Sequence, residues 1–440
     1  MTIVRAFRSL LVTFAVLLGT APAFAVVEFQ EITSPGGVDA WLVEDYSVPI
    51  ITIRFAFEGG ATQDPIGKEG LSDLITALFD EGAGDLDSEA FQIRLDDAGA
   101  EMAFASDLDA VYGSMRLLAD QRDEALGLLK LAIQQPRFDQ NPIDRMRAQL
   151  VSGLRAAARN PQTAAQKMWA QAIYGDHPYA RPREGTPESL AAVTAEDLRA
   201  FHRAVFARER LHVGIVGAIN AEDAERALDD LFGALPEKPD LQPVPDAALN
   251  LGQDLAVEYP LPQTSIYMAF PGMERTDPQF FAAYLMTHIL GGDSLLSRLN
   301  QEVREKRGLS YGVGANLLNL KHADALVIGT STNAERAGET LGVIKDVVAR
   351  MAAEGPTPEE LALAKKYLIG SYALNELSSS SAIANTIVGL QLRGLGADYI
   401  NERSAMLQAV EMEDVRAAAA QLLGTKPTTM LLGPKAEPTP

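Results

Sequence analysis

Arg304 and Tyr311 stand seven positions apart, with Gly308 between them. A guanidinium is a fork of N–H donors that can hold a peptide carbonyl, and a phenolic hydroxyl can donate to the oxyanion formed when water attacks one. The spacing places the arginine at the end of a helix and the tyrosine at the start of the following strand. Taken alone, such a pair is more often a surface salt bridge beside a half-buried tyrosine. Upstream, the Gly291-Gly292 turn could let a substrate backbone come close, or could simply shape the chain.

Other chemistry is scarce. There is no cysteine, which excludes disulfides, thiolate nucleophiles and cysteine metal ligands. The five histidines, His177, His202, His212, His288 and His322, are scattered without ligand spacing. Asp73, Asp80, Glu81, Asp85 and Asp87 form an acidic group, but it lacks histidine and falls mostly in a glycine-rich turn. Solvated carboxylates are ordinary there, so the group reads as a helix end and loop rather than a metal site. The net charge of −21 argues against nucleic acid and anionic membrane as partners.

The elements that position these residues are written twice. Asp64-Pro65 returns as Asp277-Pro278, and Thr194-Ala-Glu-Asp-Leu-Arg199 as Glu411-Met-Glu-Asp-Val-Arg416, each hexapeptide followed by a similar strand. So long a period means two copies of a whole domain, since solenoid units run about 20 to 50 residues. Two such domains suggest a cleft between them. In the first half, alternation predicts strands over 50–57 and within 102–118, and helical spacing covers 67–79, 123–133, 143–158 and 162–173. The second half predicts a strand over 264–270, helices over 280–290 and 295–306, strands around Tyr311 and Leu326, and helices from Ala334 and Pro358. Prolines 236, 239, 243 and 245 make residues 235–246 a stiff linker. The domains expected are therefore 26–234 and 247–434, with a disordered tail over 435–440.

Residues 1–25 read as a cleavable signal peptide. Arg5 and Arg8 precede an apolar stretch over 10–18, and Ala23-Phe24-Ala25 is a small-x-small cleavage site. That stretch is shorter than the about 20 residues needed to span a bilayer. The expectation is an exported, soluble, periplasmic protein.

Three motifs together resemble one family. Gly70-Leu71 opens the first long helix. His177-Pro-Tyr-Ala-Arg-Pro182 leads to Gly185-Thr-Pro-Glu-Ser-Leu190. Leu290-Gly-Gly292 leads through Ser297-Arg-Leu299 to Arg304-Glu-Lys-Arg-Gly-Leu-Ser-Tyr311. Their order resembles the pitrilysin or insulinase-type zinc peptidases, in the branch near mitochondrial processing peptidase, over nearly the whole mature chain. The resemblance implies two tandem homologous α/β domains of the α+β class, each an antiparallel sheet with helices packed on one side, together forming half of a clamshell.

Active members carry an H-x-x-E-H zinc motif on the helix after that Gly-Leu. Aligned there, this chain has Asp73, Thr76 and Ala77, and the last two can neither bind zinc well nor accept a proton near neutral pH. The family's third ligand, a later glutamate, should fall within 143–158, yet no Asp or Glu occurs from Arg145 through Gly175. In active members the residues matching Arg304 and Tyr311 reach across the cleft to substrate at the zinc site. The resemblance thus implies a non-catalytic, substrate-binding subunit of a periplasmic zinc peptidase. It would hold no metal or cofactor itself and would pair with a homologue bearing an intact zinc motif. Arg304 and Tyr311 would act in trans, Gly291 and Gly292 would admit a peptide or unfolded-protein substrate, and no nucleic acid or membrane span would be involved. A catalytically dead scaffold or binding protein of the same fold is the alternative.

Overall fold

The computed structural model describes residues 28–292 and 295–434. The expected signal peptide and the tail over 435–440 lie outside the described residues.

The first half contains strands β1 (Gln30–Thr33), β2 (Asp39–Glu44), β3 (Ile50–Glu58), β4 (Gly82–Ala83), β5 (Leu86–Asp87), β6 (Glu101–Ser106), β7 (Ala110–Leu118) and β8 (Leu211–Gly217). Its helices are α1 (Leu71–Thr76), α2 (Ser88–Asp97), α3 (Arg122–Gln134), α4 (Gln140–Ala157), α5 (Pro161–Tyr174), α6 (Pro187–Ala192), α7 (Ala195–Val205) and α8 (Ala221–Phe232). The second half contains β9 (Asp254–Glu258), β10 (Gln263–Pro271), β11 (Ser310–Leu320), β12 (Ala323–Asn333) and β13 (Thr428–Gly433). Helices α9 (Phe280–Gly291), α10 (Ala337–Glu354), α11 (Pro358–Glu376), α12 (Ser380–Gln391), α13 (Tyr399–Ala409) and α14 (Met412–Leu423) complete it.

The duplication is visible in the pairing. One sheet runs β6-β7-β3-β8-β2 with β1 added at its edge, and the other runs β11-β12-β10-β13-β9. Each is antiparallel except for one parallel pair, β2 with β8 and β9 with β13. The repeated hexapeptides are helix starts. Thr194 with Asp197, and Glu411 with Asp414, close reciprocal capping boxes that satisfy the first free amides of α7 and α14.

Each sheet buries one face under its own helices. The first core joins Phe55 and Phe57 of β3 to Leu128 and Leu129 of α3 and Leu228 of α8; the second joins Met268 and Phe270 of β10 to Met286 of α9 and Leu422 of α14. The opposite faces are covered by exchange. Helix α12 of the second half lays Ala384 and Ile387 on Val43 and Val216 of the first sheet. Helix α5 of the first half lays Ala165 on Met430 and Leu432 of the second. The family-like picture of helices on one side therefore holds for each half's own helices, and a lent helix covers the other side.

Two elements are shorter than their periodicity predicts. Helical spacing over 67–79 becomes α1 alone: Gly67 and Gly70 adopt φ of +81° and +88°, so the helix cannot start before Leu71, and it stops at Thr76. A Cβ on Gly70 would also sit 2.6 Å from the Glu184 carbonyl, so glycine is required where that segment crosses. The helix expected over 295–306 contains a π-helical turn, Asn300–Glu305, and residues 293–294 lie outside the described part. The proline-rich stretch 235–246 forms neither helix nor strand and is tied down. Asp240 donates its amide to the Ala204 carbonyl, the Gln63 side chain donates to the Gln242 carbonyl and accepts from the Gln242 amide, and Leu241 packs on the first core. Among the described residues no helix is long and apolar enough to cross a membrane.

Candidate functional site

The π-helical turn, the Gly308 turn and the start of β11 together present Arg304 and Tyr311. Lys306 donates its amide to Gln301, the wide turn of a π-helix, and Gly308 at φ +56° reverses the chain into β11. There a β-bulge sets Tyr311 and Gly312 against the single residue Ser331, between the pairs Ser310–Thr332 and Val313–Thr330. Bulges bend a strand and re-aim a side chain, and Tyr311 here is 90% exposed. The bulge is held from below: Thr330 Oγ1 donates to the Gly312 carbonyl at 2.8 Å, and Thr332 Oγ1 to the Leu309 carbonyl at 2.6 Å. The Arg304 guanidinium lies 5.0 Å from the centre of the Tyr311 ring, a cation–π arrangement, and its Nε is 3.4 Å from Glu305. The pair is thus one preformed unit pointing at solvent, not a half-buried tyrosine beside a separate ion pair.

Gly291 and Gly292 have a clear packing function. A Cβ on Gly291 would lie 2.7 Å from the Ala315 Cβ, and one on Gly292 would lie 2.3 Å from His288 Nδ1. Glycine here lets α9 end tightly against β11 and so fixes the base of the Tyr311 bulge.

In the first half, Asp73 of α1 sits in a closed polar network with the end of β6 and the segment before α6. Asp73 accepts from Ser106 Oγ at 2.6 Å and from Arg183 Nη1 at 3.2 Å, and the same guanidinium nitrogen bonds the Ser106 carbonyl at 2.8 Å. Burial pushes the Asp73 carboxyl above its usual range, against the pull of Ser106 and Arg183. Thr76 turns its hydroxyl back to the Asp73 carbonyl at 2.8 Å. The neighbouring acids are likewise committed: Asp80 accepts from Gln92, Glu81 from Ser88 and Arg145, and Asp87 caps the Ala90 amide.

Sequence reasoning missed the residues that join the halves. The β11–β12 turn inserts into the first half, where Lys321 pairs with Glu58, and the Lys321 amide donates to Asp109 at 3.3 Å. The His322 amide donates to the Tyr179 hydroxyl at 3.0 Å, which itself donates to Asp109 at 2.6 Å. No spacing announces this cluster, because its members come from four separate elements. This turn and the exchanged helices pack the halves against each other, and the groove beside Tyr311, about 600 Å³, is lined by residues of the second half.

Comparison with known proteins now places the chain. Residues 41–187 match the family described as insulinase (peptidase family M16), and 192–368 match the peptidase M16 inactive domain. A peptidase M16 inactive domain of known structure from Pseudomonas fluorescens is 30% identical, with a TM-score of 0.87, and the match covers 94% of this chain and 99% of that one. The chain belongs to the M16 peptidase family. Other relatives include a non-peptidase homolog from Helicobacter pylori, 23% identical over 84% of this chain and 86% of its own. An uncharacterized zinc protease from Streptomyces coelicolor is 25% identical over 92% of this chain and 89% of its own.

The zinc of active M16 peptidases does not fit the residues here. At the motif positions Ala77 offers no donor, Thr76 is spent on its own helix, and Asp73 is held by a guanidinium that a cation would have to displace. Among the described residues no group of three His, Cys, Asp or Glu side chains could hold a metal ion. In this M16 chain the aligned motif position of Asp73 is held in a salt-bridged network.

Proposed function

We propose that this chain is the non-catalytic, substrate-holding subunit of a two-chain periplasmic zinc peptidase. Its partner is a homologous chain with an intact H-x-x-E-H motif, and zinc resides in that partner. The observation that carries the reading is the contrast between the halves. The first spends its motif positions on a closed network, while the second keeps Tyr311 lifted from a bulge with Arg304 against its ring. In the assembled pair the Arg304 guanidinium holds a carbonyl of the bound peptide, and the Tyr311 hydroxyl donates to the oxygen that gains charge when that carbonyl is attacked. Gly291 and Gly292 contribute by letting α9 pack tightly beneath the bulge that carries Tyr311. The signal-like residues 1–25 support the periplasmic assignment.

Co-expression with a zinc-motif homologue, followed by size-exclusion chromatography and peptidase kinetics, tests this. A one-to-one complex that is more active than the zinc-bearing chain alone is the expected result. Two chains that never co-elute, with the homologue fully active by itself, would leave the scaffold reading in its place.

A further inference from the structure

The groove beside Tyr311 has a floor almost without side chains. Gly329 of β12 and Gly312 of the bulge line it; Gly314, paired with Gly329 across β11 and β12, continues the same sheet face, and Tyr267 of β10 pairs with Gly329 from the other side. Directly opposed residues share a face of the sheet. Their strand neighbours Val313, Ile328 and Ile266 belong to the second core, so the glycines and Tyr267 lie on the other face.

Neither backbone nor packing explains these glycines. None of the three has a positive φ. A Cβ on Gly312 would meet nothing within 4 Å, one on Gly314 nothing nearer than 3.9 Å, and one on Gly329 only the Tyr267 ring at 3.8 Å. Glycine weakens a strand, and where the protein's own packing does not require it, it marks a place that another group approaches closely. The trough is also uncharged. Its polar lining, Gln263, Ser310, Ser331 and Asn333, is neutral, in a chain of net charge −21. Two aromatic rings line it, and both are held. Gln162 of α5 hydrogen-bonds the Tyr267 hydroxyl, and Arg304 lies against Tyr311.

We propose that this trough is a side-chain subsite for an extended peptide, taking one large uncharged residue, aromatic in preference to aliphatic, over the glycine floor between Tyr267 and Tyr311. The inference rests on the reading above that the chain holds peptides, and it adds the substrate class. An aromatic ring gains face and edge contact with two tyrosines, and the flanking peptide groups find neutral hydroxyl and amide partners. A carboxylate or ammonium placed there would lose water and meet no countercharge on the lining.

The test uses dye-labelled, end-capped nonapeptides of alternating Ser and Ala whose central residue is Phe, Leu, Ser or Glu, titrated with the mature chain and followed by anisotropy. The Phe peptide should bind about tenfold more tightly than the Ser peptide, with Leu between and Glu weakest. Gly329→Leu, which fills the trough at a position with room and ordinary φ, should reduce the Phe peptide to the affinity of the Ser peptide. Gly312→Leu is an independent second variant, and an unchanged melting temperature shows that each is folded. Equal binding across the series, or a Phe preference that survives both substitutions, overturns the subsite and leaves peptide holding intact. Absence of binding across the whole series overturns both readings.

Discussion

Glu58, near the end of β3, and Lys321, in the turn between β11 and β12, form an ion pair that closes the two halves on each other. Glu58 also meets His212 at 3.0 Å and Arg210 at 3.5 Å, and its side chain is 15% exposed. Burial alone would raise its pKa, but the hydrogen bonds and charges of His212 and Lys321 outweigh that and bring it from 4.5 down to about 2. Because the folded value lies below the unfolded one, the stabilisation is complete above pH 4.5 and is lost as pH falls toward 2. Urea midpoints measured across that window should fall more steeply for the wild type than for Glu58→Gln. Lys321→Ala should cost about 1–3 kcal/mol at neutral pH, because a partly buried carboxylate loses one of its donors.

The helix exchange is tested at Gly214 of β8. A Cβ there would lie 2.9 Å from Ile387 Cγ2 and 3.2 Å from the Ala384 carbonyl, so α12 sits directly on this glycine. Gly214→Val should destabilise the protein by about 1–3 kcal/mol through overpacking, read as a lower denaturation midpoint. A loss below about 0.5 kcal/mol, the range of ordinary surface changes, would mean that α12 is not held on the sheet.

Metal analysis should find no stoichiometric zinc on the purified chain after dialysis, and a quenched-peptide assay no turnover. The reason is local: Arg183 already neutralises Asp73, and neither Thr76 nor Ala77 supplies a ligand. One tightly held zinc per chain, or activity that survives removal of contaminating proteases, would contradict the reading.

The Arg304–Tyr311 unit separates the peptidase subunit from the scaffold. In the assembled pair Tyr311→Phe removes one hydroxyl and no packing, and loss of an oxyanion donor costs about 100- to 1000-fold in kcat. Arg304→Ala should also raise KM, because the fork that holds the peptide carbonyl is gone. Melting temperature and complex formation should barely change for Tyr311→Phe, since that side chain is 90% exposed. Full activity in both variants favours the scaffold, and inactivity that comes only from failed assembly also counts against a catalytic role.

Much of this protein was legible in its sequence because the information is local. Alternating apolar residues set β3 and β10, the repeated hexapeptides from Thr194 and Glu411 mark the two copies of one segment, and the Arg304-to-Tyr311 spacing put a helix end and a strand start at the right places. The residue types at 73, 76 and 77 already spoke against a metal site. Tertiary structure decided the rest. Helical spacing over 67–79 could not reveal that Gly70 must pass under the Glu184 carbonyl, which keeps α1 from starting before Leu71. A half-buried Tyr311 was a fair expectation until the bulge lifted it out, since register depends on a partner strand that one segment cannot specify. The exchanged helices α5 and α12, and the joining of Lys321 to Glu58, depend on contacts between residues hundreds of positions apart. Periodicity shows that a helix has an apolar face, but only the packed chain decides whose sheet that face covers.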